Sequence, residues 1–204
     1  MCHSDIVCQH DVVTETAAQR RRRRTRAEVT RRAVELFAGQ GYAATSTEQV
    51  AAAADLSRST LFRLFADKED LLFGLEDDLL ATAKAAVAEV PPELPPWAAL
   101  RAATVRIAGQ VAPLRDLLVT REQVVATVPA LRARAAAKHR RWESALAAGL
   151  TGHRGVPEAD ARLLAKLVLA CFEVAQDEWL AGDAGDLPGL LTAALDRLPG
   201  LLDG

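Results

Sequence analysis

Two arginines and three hydroxyl side chains form the group in this sequence that is best suited to a chemical task. They are Ser57, Arg58, Ser59, Thr60 and Arg63. An arginine can donate two hydrogen bonds to the edge of a guanine, and hydroxyls can bond phosphates or either kind of base edge. Grouped on one helix, these side chains predict a surface that reads the major groove of double-stranded DNA.

Two short helices separated by a tight turn would hold that surface in place. The first helix has two alternative capping boxes as its start, Thr45 with Glu48 or Ser46 with Gln49. Ser57 is a suitable N-cap for the second helix. Apolar residues recur in the second helix at the spacing of one helical face: Leu61, Leu64 and Phe65. The pattern therefore predicts a helix-turn-helix whose polar residues face outward.

An ordered series of short motifs surrounds this helix-turn-helix between Thr25 and Leu71. In chain order they are Leu36 with Phe37, Gly41 with Tyr42, Thr45 with Ser46, Ser57, Thr60 with Leu61 and Phe62, Phe65, and Lys68 with Glu69. Their order and spacing resemble the N-terminal domain of the TetR family of bacterial transcriptional regulators. The resemblance implies an all-α protein, with an N-terminal three-helix DNA-binding domain that contains the helix-turn-helix and a C-terminal helical ligand-binding and dimerisation domain.

The resemblance and the residue types together nominate twelve residues for DNA contact. They are Arg24, Arg26, Thr45, Ser46, Thr47, Ser57, Arg58, Ser59, Thr60, Phe62, Arg63 and Lys68. Several positions depart from the family pattern. Phe62 replaces a tyrosine that often bonds a phosphate, and without the hydroxyl it cannot donate a hydrogen bond. Leu64 stands where histidine is common, and Asp55 stands where a small flexible glycine is frequent.

Positive charge is concentrated in the same part of the chain. Residues 20 to 68 carry eleven basic and five acidic side chains, although the whole chain has a formal net charge of -2. Phosphate neutralisation requires such a basic segment, and binding that depends on it weakens as the salt concentration rises. The acidic remainder of the protein disfavours unspecific attachment to DNA.

We predict that residues 1–24 form a disordered, arginine-rich arm ahead of a DNA-binding domain over residues 25–71. The arm would lie along phosphates or in a minor groove, or it would be only a solvated tail. Cys2, His3, Cys8 and His10 are metal-ligand types, but their spacing matches no common zinc pattern, and we predict no metal site. The first helix is expected at about residues 26–38, with Thr25 and Glu28 as its capping box.

Residues 72–204 are predicted to form the helical effector-binding and dimerisation domain. We expect one helix at about 68–89, begun by Asp67 and ended by a proline cluster. Five more are expected at about 97–111, 113–127, 130–150, 157–182 and 187–202. No apolar run approaches the roughly 20 residues that span a bilayer, and the N-terminus does not resemble a signal peptide. A cytoplasmic protein with no membrane partner is the expectation.

The family resemblance implies a small hydrophobic effector, and some relatives of this kind sense acyl-CoA thioesters. Candidate effector contacts are Trp97, Arg121, Val125, His139, Trp142, Phe172 and Gln176. A basic run from Arg132 to Arg141 would meet phosphates of such an effector, or it would be a solvated helix face. No cofactor is predicted.

The resemblance also implies a homodimer, because two-fold symmetry lets two heads read both halves of a palindromic operator. Candidate dimer contacts are Leu163, Leu167, Val174, Leu187, Leu191 and Leu195. The leading hypothesis is a ligand-responsive regulator, most often a repressor in this family, on an inverted-repeat operator. The alternatives are a DNA-binding regulator without a small ligand and an enzyme with a helical catalytic domain. The enzyme has little support, because Cys171 has no histidine at a motif spacing and no phosphate loop or nucleophile elbow occurs.

Overall fold

The computed structural model describes residues 16–182 and 185–202, and every regular element in those ranges is helical. None of these helices is both long enough and apolar enough to cross a membrane. Two short 3-10 turns, Asp70–Phe73 and Ala112–Leu114, interrupt the series. The α-helices are α1 (Ala17–Gln40), α2 (Thr47–Ala53), α3 (Arg58–Leu64), α4 (Glu76–Glu89), α5 (Pro96–Val111), α6 (Arg115–Thr127), α7 (Pro129–Arg154), α8 (Glu158–Ala181) and α9 (Leu187–Leu202). The expected all-α fold is confirmed.

Helices α1, α2 and α3 form the head, in which the predicted helix-turn-helix lies. The start of α2 is the second of the two predicted capping boxes, because the Ser46 hydroxyl accepts from the Gln49 N–H and the Gln49 side chain accepts from the Ser46 N–H. The Ser57 hydroxyl caps α3 as predicted. Apolar side chains from all three helices share one core: Val29, Ala33, Val34, Phe37, Val50, Ala51 and Leu61.

The first helix begins earlier than predicted. Thr16 and Gln19 form a capping box, so α1 starts at Ala17 rather than near residue 26. Residues 20–24 are therefore helical, and the prediction of disorder is wrong for this part of the arm. The physical reason is that arginine is a good helix former and the box satisfies the free N–H groups. Cys2, His3, Cys8 and His10 lie outside the described residues.

The turn between α2 and α3 has a backbone conformation that favours glycine. Asp55 adopts a φ of +53°, and it is the only non-glycine residue with positive φ in the described ranges. Aspartate tolerates this region better than most residues because its short polar side chain can bond locally. The turn geometry typical of a helix-turn-helix is thus kept although the glycine is absent.

The single helix predicted over 68–89 is broken into two pieces. We call residues 66–77 the connector, because they join the head to the second domain. Within it, an Asp67 carboxylate oxygen accepts the Asp70 N–H at 2.7 Å and caps the 3-10 turn. Gly74 then passes so close to the head that an added Cβ would lie 2.6 Å from the Phe65 ring. Helix α4 begins only after this close approach.

From α5 to α9 the helix order is the predicted one, and each observed boundary lies within a few residues of its prediction. Helices α4, α5, α7, α8 and α9 pack around one large apolar core. The head is not separate from it, because α1 packs on α6 and on the connector. A movement within the second domain can therefore reach the head through packed helices.

One arginine holds the proline-rich loop between α4 and α5. The Arg154 guanidinium donates to four backbone carbonyls of that loop. Its Nη1 bonds Leu94 at 2.8 Å and Pro92 at 3.4 Å, and its Nη2 bonds Val90 at 2.8 Å and Pro91 at 2.9 Å. A planar fork with several donors suits this geometry, whereas a lysine ammonium would not span it.

We expect Arg154→Ala to lower the free energy of unfolding by about 1–2 kcal/mol, because four carbonyls lose a charged donor and turn to water instead. Urea denaturation followed by circular dichroism measures this. Arg162→Ala is the matched control, since that side chain is 60% exposed. Equal midpoints for the two variants would show that the loop does not depend on Arg154.

Candidate functional site

The outward surface of α3 carries the residues expected to read DNA. The Arg58 side chain is 69% exposed, and the Phe62 residue is 44% exposed. The Arg58 guanidinium lies 5.6 Å from the centre of the Phe62 ring. Ser59 and Arg63 are exposed beside them, and the Ser57 hydroxyl is 2.9 Å from that of Thr60. A flat arginine and a group of hydroxyls therefore lie together on one exposed helix, as major-groove reading requires.

Arg58, which is predicted to read a base, is paired with a carboxylate of the head. Arg58 Nε lies 3.1 Å from Oε1 of Glu48, in the first turn of α2. A hydrogen bond from the N–H of Glu48 itself lowers the pKa of that carboxyl, and the charge of Arg58 lowers it further. The pair holds the guanidinium in one orientation, and a DNA group that bonds Arg58, as predicted, would have to compete with the carboxylate.

Thr45 is not available for DNA contact. The residue is only 1% exposed. Its hydroxyl lies 2.8 Å from the Gly41 carbonyl oxygen, and the Gln40 side-chain amide donates to it at 3.2 Å. The prediction that it contacts DNA is wrong, because the hydroxyl closes the corner between α1 and α2. Ser46 and the half-buried Thr47 lie just after it, at the start of α2.

The prediction that Arg26 contacts DNA is also wrong, because this residue is only 8% exposed and points into the protein. Its guanidinium lies 4.7 Å from the centre of the Phe65 ring. It donates to the Leu64 carbonyl and, at 3.2 Å, to the Gly74 carbonyl. It also lies 3.5 Å from a carboxylate oxygen of Asp77. Arg26 therefore fastens the head to the connector. Arg24, two residues earlier on α1, is exposed to solvent, and DNA contact by Arg24 stays a prediction.

Lys68 is turned toward the head rather than into solvent. Its Nζ donates to the Tyr42 carbonyl and lies 4.3 Å from the centre of the Tyr42 ring. Burial lowers the pKa of this ammonium. These contacts fix the connector against the corner that follows α1. Contact between Lys68 and a DNA phosphate stays a prediction.

We expect Lys68→Ala to weaken binding to all duplexes about equally, because it removes a charge and loosens the head without removing a base contact. Anisotropy titrations with an operator and with a scrambled duplex test this. Lys84→Ala is the control, as Lys84 is an exposed lysine on α4. A loss restricted to the operator would contradict the role assigned to Lys68.

A cavity of about 370 Å³ lies within the second domain. This volume is within the range of small-molecule sites. Most of the wall is apolar, including Phe73, Leu79, Ile107, Leu118, Trp142 and Phe172. Five of the predicted effector contacts line it: Arg121, His139, Trp142, Phe172 and Gln176. The expected pocket is therefore present, and its occupant is not shown.

Two of the predicted effector contacts lie elsewhere. Trp97 is half-buried against the apolar core of the second domain and does not line the cavity. Val125 is 5% exposed and belongs to the core shared by α6 and the head. Both predictions are wrong as cavity contacts, because an apolar residue on a helix can face either of two cores.

Part of the polar cavity wall belongs to a cluster of ion pairs around the buried Glu76 and Arg121. The Lys138 ammonium pairs with Glu76, and Arg121 Nη1 lies 3.6 Å from the same Glu76 carboxylate. Arg121 also donates to Glu122 at 2.6 Å. Burial lowers the pKa of Lys138, the charge of Arg121 lowers it further, and the charge of Glu76 opposes the shift.

Three residues of the basic run on α7 form ion pairs with acidic side chains of the connector. Arg134 Nη1 lies 3.0 Å from an Asp67 carboxylate oxygen, and Arg141 Nη2 lies 2.7 Å from one of Asp77. Lys138 adds its pair with Glu76. These three members of the run therefore have acidic partners within the chain, although Arg141 and Asp77 remain more than half exposed. The same helix contributes to the cavity wall, so α7 contacts both the cavity and the connector.

Two family models match the chain. The model of bacterial regulatory proteins of the tetR family matches residues 29–75, and the model of the MftR C-terminal domain matches residues 94–202. The chain belongs to the TetR family. Regulators of this family carry a DNA-binding helix-turn-helix and a ligand-binding C-terminal domain, and the expectation of a transcriptional regulator is confirmed.

Individual relatives agree with this assignment. The chain is 31% identical over 193 residues to the HTH-type transcriptional regulator TcmR of Streptomyces glaucescens, covering 88% of this chain and 85% of TcmR. It is 27% identical to the mycofactocin biosynthesis transcriptional regulator MftR of Mycobacterium tuberculosis, covering 93% and 96%. These homologues are regulators rather than enzymes.

A solved structure supports the same fold. The TetR-family repressor FadR of Thermus thermophilus, in complex with lauroyl-CoA, matches with a TM-score of 0.57 and 24% identity. The match covers 85% of this chain and 92% of FadR. At this level of identity the likeness establishes the fold and leaves the effector open.

The dimer contacts predicted for a TetR-like chain divide into two groups. On α8, Leu163 is 57% exposed and Val174 is 48% exposed, and Leu167 is half-buried between them. On α9, three of the predicted residues are 1% exposed or less and pack into the core of their own chain: Leu187, Leu191 and Leu195. The prediction is wrong for the α9 residues, because the periodic stripe on that helix faces α5 and α8.

Proposed function

We propose that this TetR-family chain is a homodimeric repressor that binds an inverted-repeat operator and is released by a small hydrophobic effector. The observation that carries this proposal is the position of the cavity. Its wall includes α7, and Arg134 of the same helix pairs with Asp67 of the connector, which Arg26 joins to the head. A ligand that alters α7 therefore acts on the element that sets where the head lies.

The energetic requirement is differential affinity. An effector releases the operator only if it binds the released arrangement of the heads better than the DNA-bound arrangement. A preference of about 1–3 kcal/mol changes operator affinity by about 5- to 150-fold. Helix α1 of the head packs on α6 and on the connector, so a ligand-induced change in the second domain can alter the position of the head.

An exposed apolar stripe on α8 supports the dimer. Leu163 and Val174 are two of the large apolar residues that are most exposed in the described chain, and Leu201 of α9 is 76% exposed. Isolated exposed leucines are common on protein surfaces, but a stripe at helical spacing is typical of a helix-helix interface. A second copy related by a two-fold axis would cover it.

We expect Leu163→Glu to convert the dimer to a monomer, because the interface would have to bury one unpaired carboxylate from each copy. Light scattering after size exclusion measures the mass. Operator affinity should fall with the loss of the second head. Leu94→Glu is the control, since Leu94 is 41% exposed and lies in the loop after α4. An unchanged dimer mass in Leu163→Glu would show that the α8 stripe is not the interface.

Effector-dependent release can be tested with an operator obtained by selecting, from a library of random duplexes, the sequences that the protein binds. The full-length protein is titrated onto labelled operator and then challenged with hydrophobic compounds, including lauroyl-CoA because the FadR complex contains it. Release by at least one compound that also raises the melting temperature supports the proposal. If no compound in a broad panel changes either quantity, a constitutive regulator without a small ligand is the better description.

A further inference from the structure

The cavity has one charged corner, formed by a buried arginine and a half-buried lysine. Arg121 and Lys138 both line the cavity, and their side chains are 9% and 26% exposed. Their shared partner Glu76 is 6% exposed and does not line the cavity. The two cations therefore stand between the cavity and a single buried carboxylate.

The charge of this corner is incompletely balanced. Glu76 is one acid shared by two cations, and Arg121 Nη1 is 3.6 Å away from it, beyond a good hydrogen bond. The second acid, Glu122, bonds Arg121 at 2.6 Å but is 42% exposed, so water screens its charge. Burial lowers the pKa of Lys138 and the charge of Arg121 lowers it further, while the charges of Glu76 and Glu122 oppose the shift. Two cations that share one buried carboxylate gain from an additional anion.

The remaining charges at the cavity limit how large that anion can be. Glu173 and Asp177 of α8 also line the cavity, and both are exposed. Glu173 pairs with His139, with Nδ1 and Oε1 2.9 Å apart. These acids would repel a headgroup that carries several phosphates, whereas a small single anion can reach the charged corner past an apolar wall.

We propose that the effector is an amphipathic molecule with one small anionic group, such as a long-chain carboxylate, and that this group binds Arg121 and Lys138 in competition with Glu76. The inference rests on the proposed function and names the ligand class of the same cavity. The apolar part lies along Leu118, Trp142 and Phe172, and the anion lies at the cationic corner.

Competition with Glu76 gives the ligand a direct effect on the connector. Glu76 is the first residue of α4, and its neighbour Asp77 contacts Arg26 of the head and Arg141 of α7. When the ligand's anion takes over the two cations, Glu76 loses the partners that hold the start of α4. The ion pairs of the connector then have to rearrange, which changes the position of the head.

Four twelve-carbon probes test the ligand class on the full-length protein: dodecanoate, 1-dodecanol, dodecylamine and lauroyl-CoA. Binding is measured by titration calorimetry below the concentrations at which the probes aggregate, and release is measured on labelled operator. We expect dodecanoate to bind about tenfold or more tightly than dodecanol, as a charge-assisted contact in a buried site would give. Dodecanoate should also bind more tightly than the other two probes.

Two variants assign that preference to the charged corner. Lys138→Met should reduce the preference for dodecanoate over dodecanol to about twofold or less, and Lys166→Met should leave it unchanged, because Lys166 pairs with Glu143 away from the cavity. Glu76→Gln should strengthen dodecanoate binding, since the competing carboxylate is removed. Circular dichroism establishes that each variant is folded. If only one of Lys138→Met and Glu76→Gln folds, that variant alone still tests the inference.

The outcomes separate the ligand class from the proposed function. Dodecanol binding as tightly as dodecanoate, or dodecylamine or lauroyl-CoA binding more tightly, overturns the single-anion inference, while operator release by that probe keeps the proposed function. Weaker dodecanoate binding in Glu76→Gln overturns the competition. If no probe binds and a broader effector panel also fails to release the operator, both the proposed function and the inference fail.

Discussion

Replacement of Arg58 by alanine is expected to lower affinity for the preferred operator by about 10- to 100-fold and to abolish discrimination at one base pair of each half-site. Arg58 is 69% exposed on α3, and Glu48 orients its guanidinium at 3.1 Å. A bidentate bond to guanine is worth about 1–3 kcal/mol of discrimination, and the proposed dimer would make it twice. Anisotropy titrations with the operator and its single-base variants measure both effects.

Arg58→Lys is the sharper variant, because it keeps the positive charge and removes the planar fork. It should retain most of the affinity for unrelated duplexes and still lose base discrimination. Arg140→Ala serves as the control for the loss of one arginine, since Arg140 is exposed on α7 in the second domain. Full discrimination in Arg58→Lys would show that Arg58 contacts phosphate rather than a base.

Replacement of Gly74 by alanine is expected to cost about 1–3 kcal/mol of unfolding free energy, in the range found for overpacking. An added Cβ would lie 2.6 Å from the Phe65 ring and would also collide with the Thr30 hydroxyl. The Gly74 carbonyl accepts from Arg26, so a shift of the backbone would also weaken that contact. Operator affinity should fall together with stability, because the head and the connector meet at Gly74.

Gly109→Ala is the matched control for the glycine substitution. Gly109 lies within α5, and a Cβ added there would meet no atom within 4 Å. An alanine in an open helical position stabilises by about 0.5–1 kcal/mol relative to glycine. Thermal unfolding should therefore move in opposite directions for the two variants. A Gly74→Ala protein as stable as the parent would show that the head and connector can separate without cost.

Local signals explain why the head could be predicted so fully from sequence. The caps Ser46 and Ser57 act on N–H groups within three residues of themselves, so the sequence contains both partners. The same rule would have located the true start of α1, because Thr16 and Gln19 also form a capping box. The prediction places the start near residue 26 instead, because the run of arginines at 20–24 is also typical of a disordered arm.

Non-local contacts explain the predictions that were wrong. Arg26 is buried because Leu64 and Gly74, distant in sequence, supply the carbonyls that it bonds. Thr45 is a different case, because its partners Gln40 and Gly41 are only five and four residues away, and its hydroxyl closes the corner between α1 and α2. The partners of Arg26, in contrast, are not visible in the local sequence. A periodic polar position shows only that a side chain lies on a helix face, and the fold decides what that face meets.

The second domain shows the same limit for apolar stripes. Leu187, Leu191 and Leu195 have the spacing of a helix interface, and the partner is their own core rather than a second chain. The cavity could be predicted in part because Arg121 and Trp142 combine polar and aromatic types among leucines and alanines. The pairing of the basic run with the connector could not be predicted, since it depends on α7 passing beside residues 66–77.

The central claim is that two copies of this protein read an inverted repeat through α3. Selection of bound sequences from a library of random duplexes, using the full-length protein, tests it most directly. The expected result is an enriched inverted repeat whose two half-sites are separated by a fixed spacing, and loss of the enriched half-site in Arg58→Ala. Enrichment of a single asymmetric site, or an identical motif from the Arg58→Ala protein, would contradict the claim.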